Sequence, residues 1–227
     1  MTSGISKDIK TVVKSLKANR FESVEFVEKP EAALKTVLDM IPPEAKVGVG
    51  GSMTLRQIGL IEGLEKRGNI VNRRLDNDIF LTSSNAITLD GKLVNIDMVG
   101  NRVAGMIYGL KKVIVVAGIN KLVRNVDEAL DRIKNVISPY HAMTMGVKTP
   151  CAVEGRCTDC KSPQRICNVT TIIEKRPART DFTIVLVGED LGLGWDPTWP
   201  EERREKIAAA YRGEMQKLRA SYQQTRP

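Results

Sequence analysis

The stretch Lys46-Val47-Gly48-Val49-Gly50-Gly51-Ser52-Met53-Thr54-Leu55 decides the fold. A short apolar run, read as a buried strand, ends in glycines and gives way to hydroxyl residues. From Thr54 to Arg67 the residues Leu55, Ile58, Leu60, Ile61 and Leu64 recur at helical spacing, and Gly68 suits the helix end. A strand, a glycine turn and a helix in that order form the repeating unit of an α/β sheet. The glycines let the backbone approach a ligand, and the helix start offers unpaired N–H groups to a phosphate or carboxylate. The turn lacks the lysine of a P-loop and the full dinucleotide fingerprint. It is either an anion site or a plain turn in which Thr54 and Gln57 form a capping box.

The same alternation runs outward in both directions. Ile9, Val12, Val13 and Leu16 mark a first helix, and Val24 to Val27 an extended run. Pro30 starts a helix carrying Ala33, Leu34, Val37, Leu38 and Ile41, which Pro42-Pro43 stops. Further strands are predicted at Asp78 to Thr82, Lys92 to Ile96, Lys112 to Gly118 and Phe182 to Val187. Val126 to Ile137 reads as a helix broken by Ser138-Pro139. The expectation is a Rossmann-like α/β domain with mostly parallel strands over residues 1–196, followed by a helical extension over 197–227. In that extension Ile207, Tyr211, Met215, Leu218 and Tyr222 form a stripe suited to docking on the body or to self-association.

Composition narrows the class. Hydrophobic residues make up 42% of the 227, as in a globular chain, while aromatics are only 4%, so aliphatic side chains must build the core. No apolar run reaches the ~20 residues of a membrane span. Met1 to Lys10 lacks the apolar core of a secretory signal, so the chain is read as cytoplasmic. The net charge of +8 could favour nucleic acid, but the basic residues are interleaved with Asp and Glu and no aromatic stacking motif accompanies them. The charge is better read as an attraction for anionic ligands.

Small polar residues gather after the strands. Thr82-Ser83-Ser84-Asn85 is one cluster; Asn95, Asp97, Gly100, Asn101 and Arg102 form another. Ligands of open α/β sheets sit at the carboxyl ends of strands, so loops 50–54, 82–85 and 97–102 should build one polar pocket. Lys121, after a further strand, either adds a positive charge to it or is a solvated loop lysine.

All four cysteines fall between 150 and 168, at Cys151, Cys157, Cys160 and Cys167, with the spacing C-x5-C-x2-C-x6-C. Four thiolates in one loop favour an iron–sulfur cluster, of four-iron type, or alternatively zinc. Arg156, Lys161 and Arg165 could offset the charge. The spacing matches neither ferredoxin pattern nor the paired knuckles of a zinc ribbon, so reduced structural thiols or a redox-active disulfide stay open. His141, the only histidine, stands outside this set.

Several long consecutive motifs resemble the LUD domain, the lactate utilisation protein family. They are Gly50-Gly51-Ser52-Met53-Thr54-Leu55, Thr82-Ser83-Ser84-Asn85-Ala86-Ile87-Thr88, Asp90-Gly91-Lys92-Leu93-Val94-Asn95-Ile96-Asp97, Gly100-Asn101-Arg102-Val103-Ala104 and Val115-Val116-Ala117-Gly118-Ile119-Asn120-Lys121. The cysteine segment is similar to that of a stand-alone subgroup. The resemblance implies a fold like ribose-5-phosphate isomerase and CoA transferases. It also implies a part in bacterial oxidation of L-lactate to pyruvate with iron–sulfur partner proteins. On that reading Gly50, Gly51, Ser52 and Thr54 hold a small carboxylate, with Ser84, Gly100 and Lys121 beside them. Asn85, Asp97 and Asn101 orient it, and Asp97 is the candidate base. The chain has no separate ferredoxin-like domain and cannot relay electrons between two clusters by itself. Two other readings remain: a non-redox enzyme or sensor for a phosphorylated or acyl-CoA ligand with a structural zinc loop, or a scaffold subunit. A homo-oligomer is compatible with each.

Overall fold

The computed structural model describes residues 3–21, 23–72, 76–108 and 111–224. The strands are β1 Ser23–Val27, β2 Val47–Val49, β3 Val71–Asn72, β4 Ile79–Thr82, β5 Ala86–Thr88, β6 Leu93–Asp97, β7 Lys112–Gly118, β8 Leu122–Val123, β9 Val169–Ile173 and β10 Asp181–Val187. The helices are α1 Ser3–Ala18, α2 Pro30–Asp39, α3 Met53–Gln57, α4 Leu60–Lys66, α5 Asn101–Ile107, α6 Val126–Arg132, α7 Ser138–Met145, α8 Pro150–Glu154 and α9 Glu201–Gln224.

Among the described residues, β1-β10-β7-β4-β2-β3 form a six-stranded sheet in which every pairing is parallel. Its centre is apolar on both sides. On β7, Ile114 and Val116 enter one core while Val113, Val115 and Ala117 enter the other. A two-residue side-chain period divides them, as a strand covered on both faces requires. The helices α2, α3 and α4 cover the first face; α1 and α5 cover the second. The architecture is a Rossmann-like α/β fold.

A second sheet, β8-β5-β6-β9, was not foreseen in the sequence. Its β5 and β6 form an antiparallel hairpin around Asp90-Gly91. Its core, which includes Ala86, Val94 and Ile96, is shared with α6 and with Tyr211 and Met215 of α9. The apolar stripe of α9 therefore docks on the body of the molecule; the side chain of Tyr222 lies outside the described residues.

Three local expectations are corrected. The predicted helix from Thr54 to Arg67 is two helices, α3 and α4, because Gly59 takes a left-handed conformation (φ 70°) that turns the chain between them. The cap of α3 is Ser52, whose hydroxyl accepts from the Leu55 N–H at 3.3 Å; Gln57 instead accepts from the Gly192 N–H at 2.5 Å. Ser138-Pro139 does not stop its helix. A π-turn over Ile133–Ile137 leads without a break into α7, and such a bulge is one way a helical run accommodates a proline.

Gly118 ends β7 where another backbone crosses it. A Cβ there would lie 2.5 Å from the Glu189 carbonyl oxygen and 2.6 Å from the Leu191 nitrogen. Gly118→Ala is expected to cost about 1–3 kcal/mol, as overpacking against rigid backbone does. Urea unfolding checks it through a lower midpoint at an unchanged slope.

Candidate functional site

Four neighbouring strands of the parallel sheet end side by side. β2 runs into Gly50-Gly51-Ser52, β4 into Ser83-Ser84-Asn85, β7 into Ile119-Asn120-Lys121, and β10 into the loop that reaches Gly192. From β2 the chain continues outward to β3 at the sheet edge, whereas β4 is the first strand on the other side. The crevice between these loops lies where the direction of winding reverses, the place at which open α/β sheets bind ligands.

A cavity of about 520 Å³ opens there. Gly51, Ser52, Thr54, Ser84, Asn85, Asp97, Asn101 and Lys121 all border it. Gly50 and Gly100 do not: Gly50 ends β2 with its N–H on the Leu81 carbonyl at 2.9 Å, and Gly100 caps α5. Loops 50–54, 82–85 and 97–102 thus share one wall system, joined by Arg102, His141 and Tyr211.

Lys121 is the most constrained of these groups. It is not a solvated loop residue; only 4% of it is exposed. Its Nζ donates to the Leu193 carbonyl, and among the described residues no carboxylate lies within ion-pair distance of it. Burial pushes its pKa down to about 7, with Arg102 and Arg132 adding to the fall and Asp190 opposing it. The loop that holds it is fixed by Asn120, whose Nδ2 donates to the Gly194 carbonyl at 2.9 Å and whose Oδ1 accepts from the Leu191 N–H at 3.0 Å.

Asp97 has a different task from the one expected of it. One carboxylate oxygen takes Arg102 Nε at 2.8 Å and Nη2 at 2.6 Å; the other accepts from the Val103 N–H at 2.9 Å. Both side chains are nearly buried, 7% and 11% exposed. Arg102 Nη2 also donates to Asn85 Oδ1 and to the Ile96 carbonyl, each at 2.7 Å. These bonds make Asp97 the group that holds Arg102 in place. Ser52 and Ser84 likewise spend their hydroxyls internally, on Leu55 and on the Ala86 carbonyl (2.8 Å). By contrast, Thr54 Oγ1, Asn85 Nδ2 and the Asn101 side chain make no hydrogen bond among the described residues.

His141 and Tyr211 escaped the sequence reading. Nδ1 of His141 lies 2.5 Å from the Tyr211 hydroxyl. Burial, helped by Arg102, pushes the imidazole down to about 4, and burial pushes the phenol up. The pair is neutral at pH 7. The stripe on α9 signalled docking, but not that the docked face would close a cavity.

The cysteine segment lies beside this site. Ile166 borders the cavity, and the Asn168 N–H donates to the Asp97 carbonyl at 3.0 Å. Arg165 organises the loop: it pairs with Asp159 at 2.8 Å and donates to the carbonyls of Cys160 and Cys167. Burial pushes the Cys167 thiol up; Arg165 pulls it back, and Cys157 and Cys160 add to the rise. All four thiols are free. Among the described residues, no three His, Cys, Asp or Glu side chains are grouped so as to hold a metal ion.

The LUD domain family model matches residues 9–187, and the chain belongs to that family. Membership carries a lactate-utilisation-related role at the level of the family. A crystal structure of a DUF162 family protein from Deinococcus radiodurans is similar at 14% identity, with 81% of this chain and 98% of that chain covered and a TM-score of 0.48. None of the curated proteins matches the chain. No described helix is long and apolar enough to cross a membrane.

Removing the Asp97 carboxylate strands a buried guanidinium. Asp97→Ala is expected to cost about 3–5 kcal/mol of stability, the usual result of breaking a buried pair from one side. Thermal and urea unfolding measure it; unchanged stability would return Asp97 to the list of candidate bases.

Proposed function

We propose that the cavity binds a small hydroxy-carboxylate of the lactate class, and that the chain serves as a subunit or accessory in oxidation of L-lactate to pyruvate. One observation carries the reading: Lys121, a buried amine with no carboxylate within ion-pair distance among the described residues, at a cavity bordered by hydroxyl and amide groups. An ammonium buried without a counter-charge is costly, and a carboxylate ligand removes that cost by pairing with it. Among the described residues, Thr54 Oγ1, Asn85 Nδ2 and the Asn101 side chain are cavity groups open to a ligand.

Conversion of L-lactate to pyruvate removes two electrons and two protons. In this reading the acceptor belongs to an iron–sulfur partner protein. The work of this chain is binding and orientation: Lys121 fixes the carboxylate, and the Arg102–Asp97 pair keeps the wall rigid. The neutral His141–Tyr211 pair borders the ligand without adding charge.

The sign of the pH dependence follows from Lys121. Its pKa in the free protein is about 7 and a bound carboxylate raises it, so binding takes up a proton above that pH. Affinity for lactate is expected to be flat below pH 7 and to fall by up to about tenfold per unit above it. Calorimetric titration between pH 6 and 9, in buffers of different ionisation enthalpy, reads both the slope and the proton uptake.

Lys121→Met keeps the length of the side chain and removes the charge. It is expected to abolish lactate binding while the fold is kept or made more stable near pH 6, where the native protein must bury an ammonium. If the variant folds and binds lactate with unchanged affinity, the carboxylate site is elsewhere.

A further inference from the structure

The cavity is far larger than a three-carbon acid needs. Its volume of about 520 Å³ falls within the roughly 300–1,000 Å³ of pockets that enclose drug-sized molecules. Its lining also mixes two chemistries. Lys121, Thr54 and Gly192 lie together: a Cβ on Gly192 would meet Thr54 Oγ1 at 2.5 Å and Lys121 Nζ at 3.3 Å. Other parts of the wall are apolar, built by Met53, Met98, Met145, Ile166, Met215 and Leu218.

Four of the chain's eight methionines border this one cavity. Two of them are not core residues, since Met98 is 44% and Met145 is 38% exposed. Flexible thioether side chains fit apolar groups of varied shape, and surfaces rich in them accept varied ligands. Met215 and Leu218 come from α9, beyond residue 187 where the family match ends. A wall of the cavity is therefore added by a part of the chain outside the matched domain.

We infer that the ligand of this site is a carboxylate carrying a bulky apolar tail, of the class of branched or aromatic 2-hydroxy acids, with its head on Lys121 and its tail against the methionine wall. The inference rests on the carboxylate reading above and extends it from the head of the ligand to the tail. Atoms of the tail that leave water for this wall strengthen binding, and each buried methylene is worth about fourfold in affinity.

The test is a titration of the whole chain with lactate, 2-hydroxybutanoate, 2-hydroxy-4-methylpentanoate and 3-phenyllactate, which share one head. Affinity is expected to rise along the series, by at least tenfold from lactate to the bulkiest acids. Replacing both exposed methionines, Met98→Gln with Met145→Gln, is expected to lower the affinity for 3-phenyllactate at least fivefold. Equal affinity for all four acids overturns the tail assignment and leaves the carboxylate site standing. An unchanged 3-phenyllactate affinity in the folded double variant also overturns it. If none of the four acids binds, the carboxylate reading fails and the tail assignment with it.

Discussion

Burial of the Lys121 amine, with no carboxylate within ion-pair distance among the described residues, is the constraint on which the cavity depends. A buried cation is tolerated only where its protons find acceptors and its charge can be relieved. Leu193 supplies a carbonyl, and the depressed pKa lets the amine give up its charge near neutral pH. Holding that carbonyl in place requires the loop after β10 to be immobile. Asn120 and Gln57 bind its backbone, and Gly118 leaves room for it to cross β7. A position at the end of one strand is thus defended by residues from three separate segments.

Arg102 and Lys121, two of the three arginine or lysine side chains that border the cavity, are treated in opposite ways; the third, the exposed Arg219, donates to the Thr144 carbonyl. Arg102 is fully compensated: Asp97 takes its charge, and Asn85 and Ile96 take further N–H groups. It contributes shape and a steady positive field, which is part of what lowers Lys121. Among the described residues Lys121 has no such partner.

Much of the fold was legible because both-face burial leaves a plain mark. The apolar runs at Lys112 to Gly118 and Phe182 to Val187 have no polar alternation, and they became the central strands β7 and β10. The three polar loops were legible for a related reason: small polar residues directly after buried strands have few other uses. The second sheet was harder to see, since its β5 and β8 are three and two residues long. The roles within the cavity were the least legible. Asp97 and Asn85 look alike on paper as polar loop residues, yet the Asp97 carboxylate is spent on Arg102 and Val103 while the Asn85 amide nitrogen is left open. His141 and Tyr211 stand 70 residues apart, and nothing local in either segment announces their pairing.

The cysteine segment reads as an appendage in the sequence, a metal loop hung from a finished domain. In space it is a wall. Asn168 binds the backbone at both Asp97 and Met98, at 3.0 Å each, and Ile166 faces the cavity between them and α9. Arg165 ties the carbonyls of Cys160 and Cys167 into the same loop. The backbone that carries these thiols is therefore continuous, through two hydrogen bonds, with the end of β6 that carries Asp97 and so holds Arg102. The conformation of the loop and the shape of the cavity are not independent properties of this chain, and a change in either acts on the other.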